Sequence, residues 1–271
     1  MSNYLAAAID LDDATIVSAY DDLPLWSALA GQLFFEHVPL RAGITALDVG
    51  CGTGFPAIEL AERLGPNAVV HGLDPWAAAL VRARAKAKAR GVAHVIFDQG
   101  DAARMPYADL RFDLVVSNLG LNNFPDPDAA TAECRRVLRP RGLLALTTNL
   151  VGHMSEFYEV MARVLVETGA EREAGALERH IASRATLDGV QDLLGRHGFA
   201  VTRIERSSVT LRYADGTALL RHWFVRLGFV GEWRATITPA RQDEVFARIE
   251  EVLPRPLRLT VPFAYVEAAA I

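Results

Sequence analysis

Apolar residues along this chain follow two periods in turn. Short runs rich in Val, Ile and Leu, at Ile44–Val49, Ala68–Leu73, His94–Phe97, Phe112–Asn118, Leu143–Leu146, Ala200–Tyr213 and Leu257–Glu267, predict seven strands. Between them, apolar positions at helical spacing predict helices over Pro56–Arg63, Trp76–Arg90, Asp128–Leu138, Leu187–His197, Gly216–Val230 and Pro239–Val252. Residues 1–43 read as helical, with Thr15–Tyr20 and Leu25–His37 apolar on one side, and His153–Ser183 predicts a mainly helical insertion. Strands that alternate with helices imply a mostly parallel sheet covered on both faces, an α/β three-layer sandwich.

The most informative break in this pattern is Asp48-Val49-Gly50-Cys51-Gly52-Thr53-Gly54, between the first strand and the helix after it. Glycines let a ligand approach the main chain, and a helix start offers free N–H donors. A dinucleotide fingerprint needs G-x-G-x-x-G. Gly50 and Gly52 fit it, but Phe55 stands at the third position, and the third glycine comes one residue early, at Gly54. Asp48 would repel a pyrophosphate and suits a ligand that carries an ammonium group. A dehydrogenase is therefore disfavoured. About twenty residues on, Asp74 closes the second strand, where a carboxylate can accept hydrogen bonds from both ribose hydroxyls. The same residue could instead cap the helix that follows.

The segment resembles motif I of the class I S-adenosylmethionine-dependent methyltransferases almost letter for letter, and the resemblance continues for roughly a hundred residues. It implies a seven-stranded, mostly parallel sheet whose last strand is antiparallel and lies between the fifth and sixth, with helical N-terminal and lid insertions. It implies a single domain over residues 1–271: a helical cap (1–43), a cofactor-binding core (44–150) and a substrate side (151–271). In that family Gly50, Cys51, Gly52 and Gly54 would pack on the amino-acid part of the cofactor, and Asp48 would organise its ammonium end. Asp74 and Pro75 would meet the ribose. Asp101 and Ala102, in a G-D-A stretch, would meet the adenine; Asn118 and Leu119 would lie beside the methionine part. Tyr20 resembles an N-terminal tyrosine that closes over the cofactor. Leu138-Arg139-Pro140-Arg141-Gly142 resembles the family's L-x-P-G-G turn, with Arg141 in place of its first glycine, a departure tolerable at a surface turn. The Asn-Pro-Pro-Tyr type of motif found in methyltransferases of DNA bases is missing at Asn118-Leu119-Gly120-Leu121. The expected cofactor is S-adenosyl-L-methionine, with S-adenosyl-L-homocysteine as product.

Composition narrows the partners. The net charge of −5 argues against nucleic acid, whose phosphates select basic surfaces. The one basic run, Arg82, Arg84, Lys86, Lys88 and Arg90, spreads round a helix and reads as a solvated face. With two cysteines, one of them inside the glycine turn, a disulfide framework is not expected and a reducing cytoplasm fits. Residues 1–23 carry five aspartates and no Lys or Arg, unlike a secretory signal. No apolar run reaches the roughly 18 residues of a membrane span, and neither a membrane partner nor a metal is expected.

A methyl on a sulfonium is already electrophilic, so such an enzyme mainly aligns the nucleophile, worth roughly 7–11 kcal/mol of barrier. A general base adds roughly 10²- to 10⁴-fold where the acceptor must lose a proton. No fixed catalytic motif is needed, and none is present. His153, directly after strand five, is the candidate base, with a hydrogen-bonded structural histidine as the plainer alternative. Trp26, Asn122, Asn123, Tyr158, His222 and Trp223 are the substrate candidates, with Phe124 and Trp233 beside them. The acceptor expected is a small molecule, through an O, N or C nucleophile. The competing reading is a protein that binds S-adenosylmethionine for other chemistry or for regulation.

Overall fold

The computed structural model describes residues 5, 9–22 and 26–271. In chain order the elements are α1 (Ala14–Asp21), α2 (Ser27–His37), β1 (Thr45–Val49), α3 (Ala57–Leu64), β2 (Val69–Asp74), α4 (Ala77–Ala89), β3 (Val95–Gln99) and β4 (Phe112–Asn118). There follow α5 (Pro127–Val137), β5 (Leu138–Asn149), α6 (Ser155–Glu167), α7 (Ala174–Ala182), α8 (Leu187–Arg196) and β6 (Phe199–Tyr213). Last come α9 (Gly216–Arg221), α10 (Trp223–Val225), α11 (Gly231–Ala235), α12 (Gln242–Val252) and β7 (Leu257–Ala270). The predicted start of the second helix at Leu25, and parts of the expected N-terminal cap, lie outside the described residues. Among those described, no helix is long and apolar enough to cross a membrane.

The strand order is β3-β2-β1-β4-β5-β7-β6. Strands β1 to β5 pair in parallel, and β7 runs antiparallel to β5, with Leu143 opposite Ala269 and Asn149 opposite Phe263. The last strand thus lies between the fifth and sixth and is antiparallel, as the sequence implied. In β1, residues 46–49 are all buried, the pattern of a strand covered on both faces. Chain order reverses between β1 and β4, which leaves a crevice at the carboxyl ends of the strands, where ligands bind in open α/β sheets.

The chain packs as two compact units. The first comprises residues 11–149, 186–207 and 263–271; its core joins Phe34, Ile58, Leu60, Leu80, Val116 and Tyr265. The second comprises residues 150–185 and 208–262 with the described part of 1–10. Its interior is aromatic: Phe157 stacks on Trp233 with ring centroids 4.0 Å apart, and Phe229 lies 5.7 Å from the same indole.

Two predicted elements change form. The turn expected at Leu138–Gly142 is a bulge inside β5, where the register jumps between Phe112↔Leu138 and Leu114↔Leu143. Arg141 takes a left-handed φ of +64° there, the conformation for which the family pattern uses glycine. The single helix expected over Gly216–Val230 breaks at His222, whose ψ of 127° is extended; α10 follows, then a π-helical turn at Arg226–Val230. No Pro or Gly marks that break.

Candidate functional site

The glycine turn is tied to the sheet at its start. Gly50 and Cys51 both donate their N–H to the Leu73 carbonyl at the end of β2, at 2.8 and 3.1 Å, and Gly54 donates to the Cys51 carbonyl. The three glycines do different work. At Gly52 (φ +50°) an added Cβ would meet no atom within 4 Å, so this is the open face of the turn. At Gly54 (φ +97°) it would stand 2.9 Å from Ile58 Cδ1 and 3.0 Å from Ala83 Cβ, so Gly54 lets the turn pack against α4. At Gly50 it would face the Phe124 ring at 3.5 Å. Cys51 is buried; its Sγ would lie 2.9 Å from a Cβ on Gly72, and burial pushes the thiol well above its ordinary pKa.

Two carboxylates brace the turn from below. Asp74 Oδ2 accepts the Gly52 N–H and Oδ1 accepts the Trp76 N–H, both at 2.8 Å, so the residue links turn, strand and the start of α4. The bond to Trp76 fits the helix-start reading of Asp74, and both of its carboxylate oxygens are engaged by backbone N–H groups. Asp48 is fully buried; its Oδ2 accepts the Ala57 N–H at the start of α3, at 3.1 Å, while Oδ1 has no partner among the described residues. Burial, then the charge of Asp74, pushes the Asp48 pKa up to about 8. Burial also raises Asp74, against the two N–H donors that lower it. Among the described residues neither carboxylate has an ion-pair partner. An acidic pair with no cation beside it favours a positively charged ligand, which would draw the proton off Asp48.

The other positions named from sequence gather at the same strand ends. Asn118, at the end of β4, donates through Nδ2 to the Ser27 carbonyl and accepts the Thr147 hydroxyl at 2.7 Å. Leu119 follows with φ +62° and donates its N–H to the Thr147 carbonyl at 3.0 Å. A non-glycine residue held left-handed costs about 1–3 kcal/mol and persists only where its surroundings dictate it. Asp101 is exposed and turns back on the Ala103 N–H at 2.9 Å, with Ala102 buried beside it. The Pro75 carbonyl accepts from Gln99 Nε2. Tyr20 meets Trp76 edge-on at 5.4 Å; burial, then the charges of Asp74 and Asp21, raises the pKa of its hydroxyl.

The acceptor candidates divide between the two units. In the first, Trp26 is half-buried just before α2, and Phe124 lies over Gly50. The Asn122 amide is spent on Thr148 and Asn149, which holds the segment after β4 against β5, and Asn123 Nδ2 is spent on the Leu119 carbonyl within that segment. In the second unit His153 is buried beside Tyr158, whose hydroxyl lies 3.4 Å from His153 Nε2 and 3.0 Å from His180 Nε2. Trp233 Nε1 donates to that same oxygen at 3.1 Å. Burial, then Arg184 and His180, pushes the His153 pKa down to about 3, which makes it a neutral, weakly basic member of an aromatic cluster. His222 and Trp223 flank the break after α9; His222 packs edge-on against Tyr213 at 5.5 Å.

In the basic run on α4, Arg84, Lys88 and Arg90 are exposed, as a solvated face requires, whereas Arg82 and Lys86 are half-buried. Arg82 pairs with Asp21 at 2.8 Å and Lys86 pairs with the same carboxylate, which also accepts the Thr53 hydroxyl at 2.8 Å. Burial alone would raise Asp21, but these three hydrogen bonds outweigh it and hold the carboxyl below its ordinary value. Arg84 donates to the Phe97 carbonyl, and Arg90 pairs with Glu59 and Glu62. Asp21 and Thr53, which sequence reasoning passed over, thus fasten α1 to both the glycine turn and α4. The only sequence signal was that they neighbour Tyr20 and Gly52.

Comparison with known proteins adds four findings. Residues 40–184 match the family described as methyltransferase domain. The nocamycin O-methyltransferase of Saccharothrix syringae is 32% identical over 246 residues, 85% of this chain and 87% of that protein. The demethylmenaquinone methyltransferase of Lactobacillus johnsonii is 40% identical over 114 residues, 42% of this chain, so that match spans only about half (47%) of the relative's own length. The YcgJ protein of Bacillus subtilis shares the fold, with a TM-score of 0.60 at 18% identity over 90% of this chain and 98% of that one.

Proposed function

The chain belongs to the class I S-adenosylmethionine-dependent methyltransferases, and from that premise we propose that it transfers a methyl group from S-adenosyl-L-methionine to a small-molecule acceptor, leaving S-adenosyl-L-homocysteine. One observation carries the reading. Two buried carboxylates without a cationic partner, Asp48 and Asp74, stand under a glycine turn whose outer face is open at Gly52. A cofactor with an ammonium and a sulfonium favours ionisation of that acidic pair, whereas a pyrophosphate opposes it.

In this reading the turn at Gly50, Cys51 and Gly52 cradles the amino-acid part, and Gly54 sets the approach of α4. Asp48 contributes its field and fixes the start of α3. Asp74 and Pro75 hold the ribose, Asp101 and Ala102 the adenine, and Asn118 and Leu119 the methionine side, with Tyr20 closing from α1. The bound cofactor supplies an electrophilic methyl. The protein's own residues have to orient the acceptor and keep water out. His153, neutral at ordinary pH, fits a role in ordering Tyr158 better than one in strong-base chemistry. The two nearly full-length or core-matching relatives carry small-molecule names, nocamycin and demethylmenaquinone, which supports the acceptor class. Both cysteines are buried and unpaired, which suits a reducing cytoplasm.

Calorimetric titration with S-adenosylhomocysteine tests the cofactor, and transfer from labelled S-adenosylmethionine into a metabolite extract identifies the acceptor. Absence of any affinity for the cofactor or its product would sink the proposal. In a Gly50→Arg variant, folded by circular dichroism, undiminished affinity would refute the placement of the turn.

A further inference from the structure

Within the first unit, α1 is fastened to the fold mainly by polar contacts. It is eight residues long, and Val17 is its one buried residue. A helix of that length is not stable by itself in water, so contacts at its two ends decide where it lies. At the start, Asp13 Oδ1 accepts the Thr15 N–H at 2.7 Å, a bond internal to the segment. Just ahead of it, the Leu11 carbonyl accepts from Trp76 Nε1 at 2.9 Å. At the end, Asp21 gathers three donors from two other segments: the Thr53 hydroxyl in the glycine turn, and Arg82 and Lys86 of α4. The Asp21 side chain is 9% exposed, against 37% for Arg82 and 25% for Lys86, so a shielded carboxylate meets cations that water and salt can reach.

The residue before Asp21 is Tyr20. Its ring lies edge-on to Trp76 at 5.4 Å, and after burial it is the charge of Asp74 that does most to raise the pKa of its hydroxyl. Tyr20 therefore stands at the end of β2, beside the carboxylate to which the methyltransferase reading gives the ribose. Asp21 meets Thr53, the residue after Gly52, whose outer face is open. Two consecutive residues of α1 thus reach two parts of one site, and both contacts lie within a single compact unit.

We propose that Asp21 is a positioning residue: its carboxylate clamps the end of α1 so that Tyr20 stays over the bound cofactor, and the strength of the clamp sets how fast cofactor or product leaves. That the ligand is the cofactor rests on the methyltransferase reading; the clamp itself rests on the contacts of α1. Asp21 acts through Tyr20 rather than on the reacting atoms. Its bonds to Arg82 and Lys86 are charge-assisted and of the stronger kind, but with cations open to solvent they are weakened by salt. A segment with little buried apolar surface opens at small cost in free energy. Loss of the clamp therefore frees α1 while the sheet beneath it stays folded.

The test follows release of tritium-labelled S-adenosylhomocysteine from the whole protein into an excess of unlabelled ligand. Asp21→Asn keeps the shape of the side chain and removes its charge; release should become about tenfold faster, the effect of losing one hydrogen bond to a charged group. Tyr20→Ala should speed release to a similar extent. Asp21→Asn made in that background should add almost nothing, because both changes act through one ring. A merely structural role would lower the folded fraction without this dependence on Tyr20. Raising NaCl from about 0.05 to about 1 M, where the screening length falls to about 3 Å, should speed release from the wild type and leave Asp21→Asn nearly unmoved. Asp22→Asn removes the same charge from a side chain 72% exposed, and should release the ligand as the wild type does. The salt series on the wild type needs no variant, so it decides the matter even if Asp21→Asn does not fold. Release from Asp21→Asn at the wild-type rate, effects that multiply in the double variant, or release from the wild type that ignores salt would each overturn the proposal. A wild type with no affinity for S-adenosylhomocysteine would instead overturn the methyltransferase reading, and the clamp with it.

Discussion

The Asp74 carboxylate accepts the N–H of Gly52 at 2.8 Å, so the end of β2 holds the glycine turn that follows β1. Its other oxygen holds the Trp76 N–H, at the entrance to α4. An amide in its place can accept only through one oxygen. Asp74→Asn should therefore release one of the two backbone donors, lower stability by roughly 1–3 kcal/mol and weaken S-adenosylhomocysteine binding at least tenfold. Urea unfolding and calorimetry on the same variant check both effects; retention of wild-type affinity would show that the turn does not depend on this brace.

Gly52 and Gly54 separate ligand access from packing. Gly54→Ala places a methyl against Ile58 and Ala83 in a left-handed backbone, so stability should fall by roughly 1–3 kcal/mol. Gly52→Ala adds a methyl in open space at φ +50°, and backbone strain of about 1–2 kcal/mol is its main cost to folding. Its larger effect should be on cofactor affinity, since the new methyl stands on the open face. Thermal melts with and without S-adenosylhomocysteine distinguish the two: ligand should rescue Gly54→Ala and leave Gly52→Ala nearly unmoved. The opposite pattern would reverse the assignment.

Asp48 makes stability depend on pH. Its folded pKa of about 8 lies above the unfolded value of about 3.9, so the folded chain keeps a proton that the unfolded chain has lost. The stability this contributes is fully present below about pH 4 and drains away as pH rises through 8. Asp48→Asn keeps an oxygen for the Ala57 N–H and removes the titration. The variant should gain stability relative to the wild type as pH is raised from 5 to 8. Denaturation curves at four pH values give the difference, and a difference that does not change with pH would refute the raised pKa. Cofactor binding by the wild type should release protons near pH 7, because a cation favours the ionised carboxylate; titrations in buffers of different ionisation enthalpy measure them.

Arg141 holds φ at +64° within the bulge of β5. Glycine there avoids a cost of about 1–2 kcal/mol but loses about 0.5–1 kcal/mol to chain entropy. Arg141→Gly should stabilise the protein by roughly 0.5–1 kcal/mol without altering cofactor affinity. A lower melting temperature would mean that the arginine side chain outweighs the strain of its backbone.

The layout of the sheet was legible in the sequence for a plain reason. Each strand is a short apolar run and each helix an amphipathic one, and both periods are properties of neighbouring residues. The order of the strands and the antiparallel seventh were what the family resemblance implied, and Asp48, Gly50, Asp74, Asn118 and Leu119 fall at or just past strand ends because the motifs that carry the resemblance lie there. Where the chain is read through a long-range partner, the same reasoning falls short. Nothing near Arg82 or Lys86 reveals that Asp21, some sixty residues earlier, binds both. Nothing near Asn122 reveals that its amide is consumed by Asn149.

By itself, then, the amino-acid sequence determined the α/β alternation, the glycine turn and the sign of the charge beneath it, since these depend on side-chain type and on separations of a few residues. Only the tertiary structure decided how deeply each carboxylate is buried, which glycine packs and which stays open, and where the helix after Asp215 breaks at His222. Those are outcomes of burial and of contacts between distant segments, and burial is set by the whole folded surroundings of a residue rather than by its neighbours in the chain.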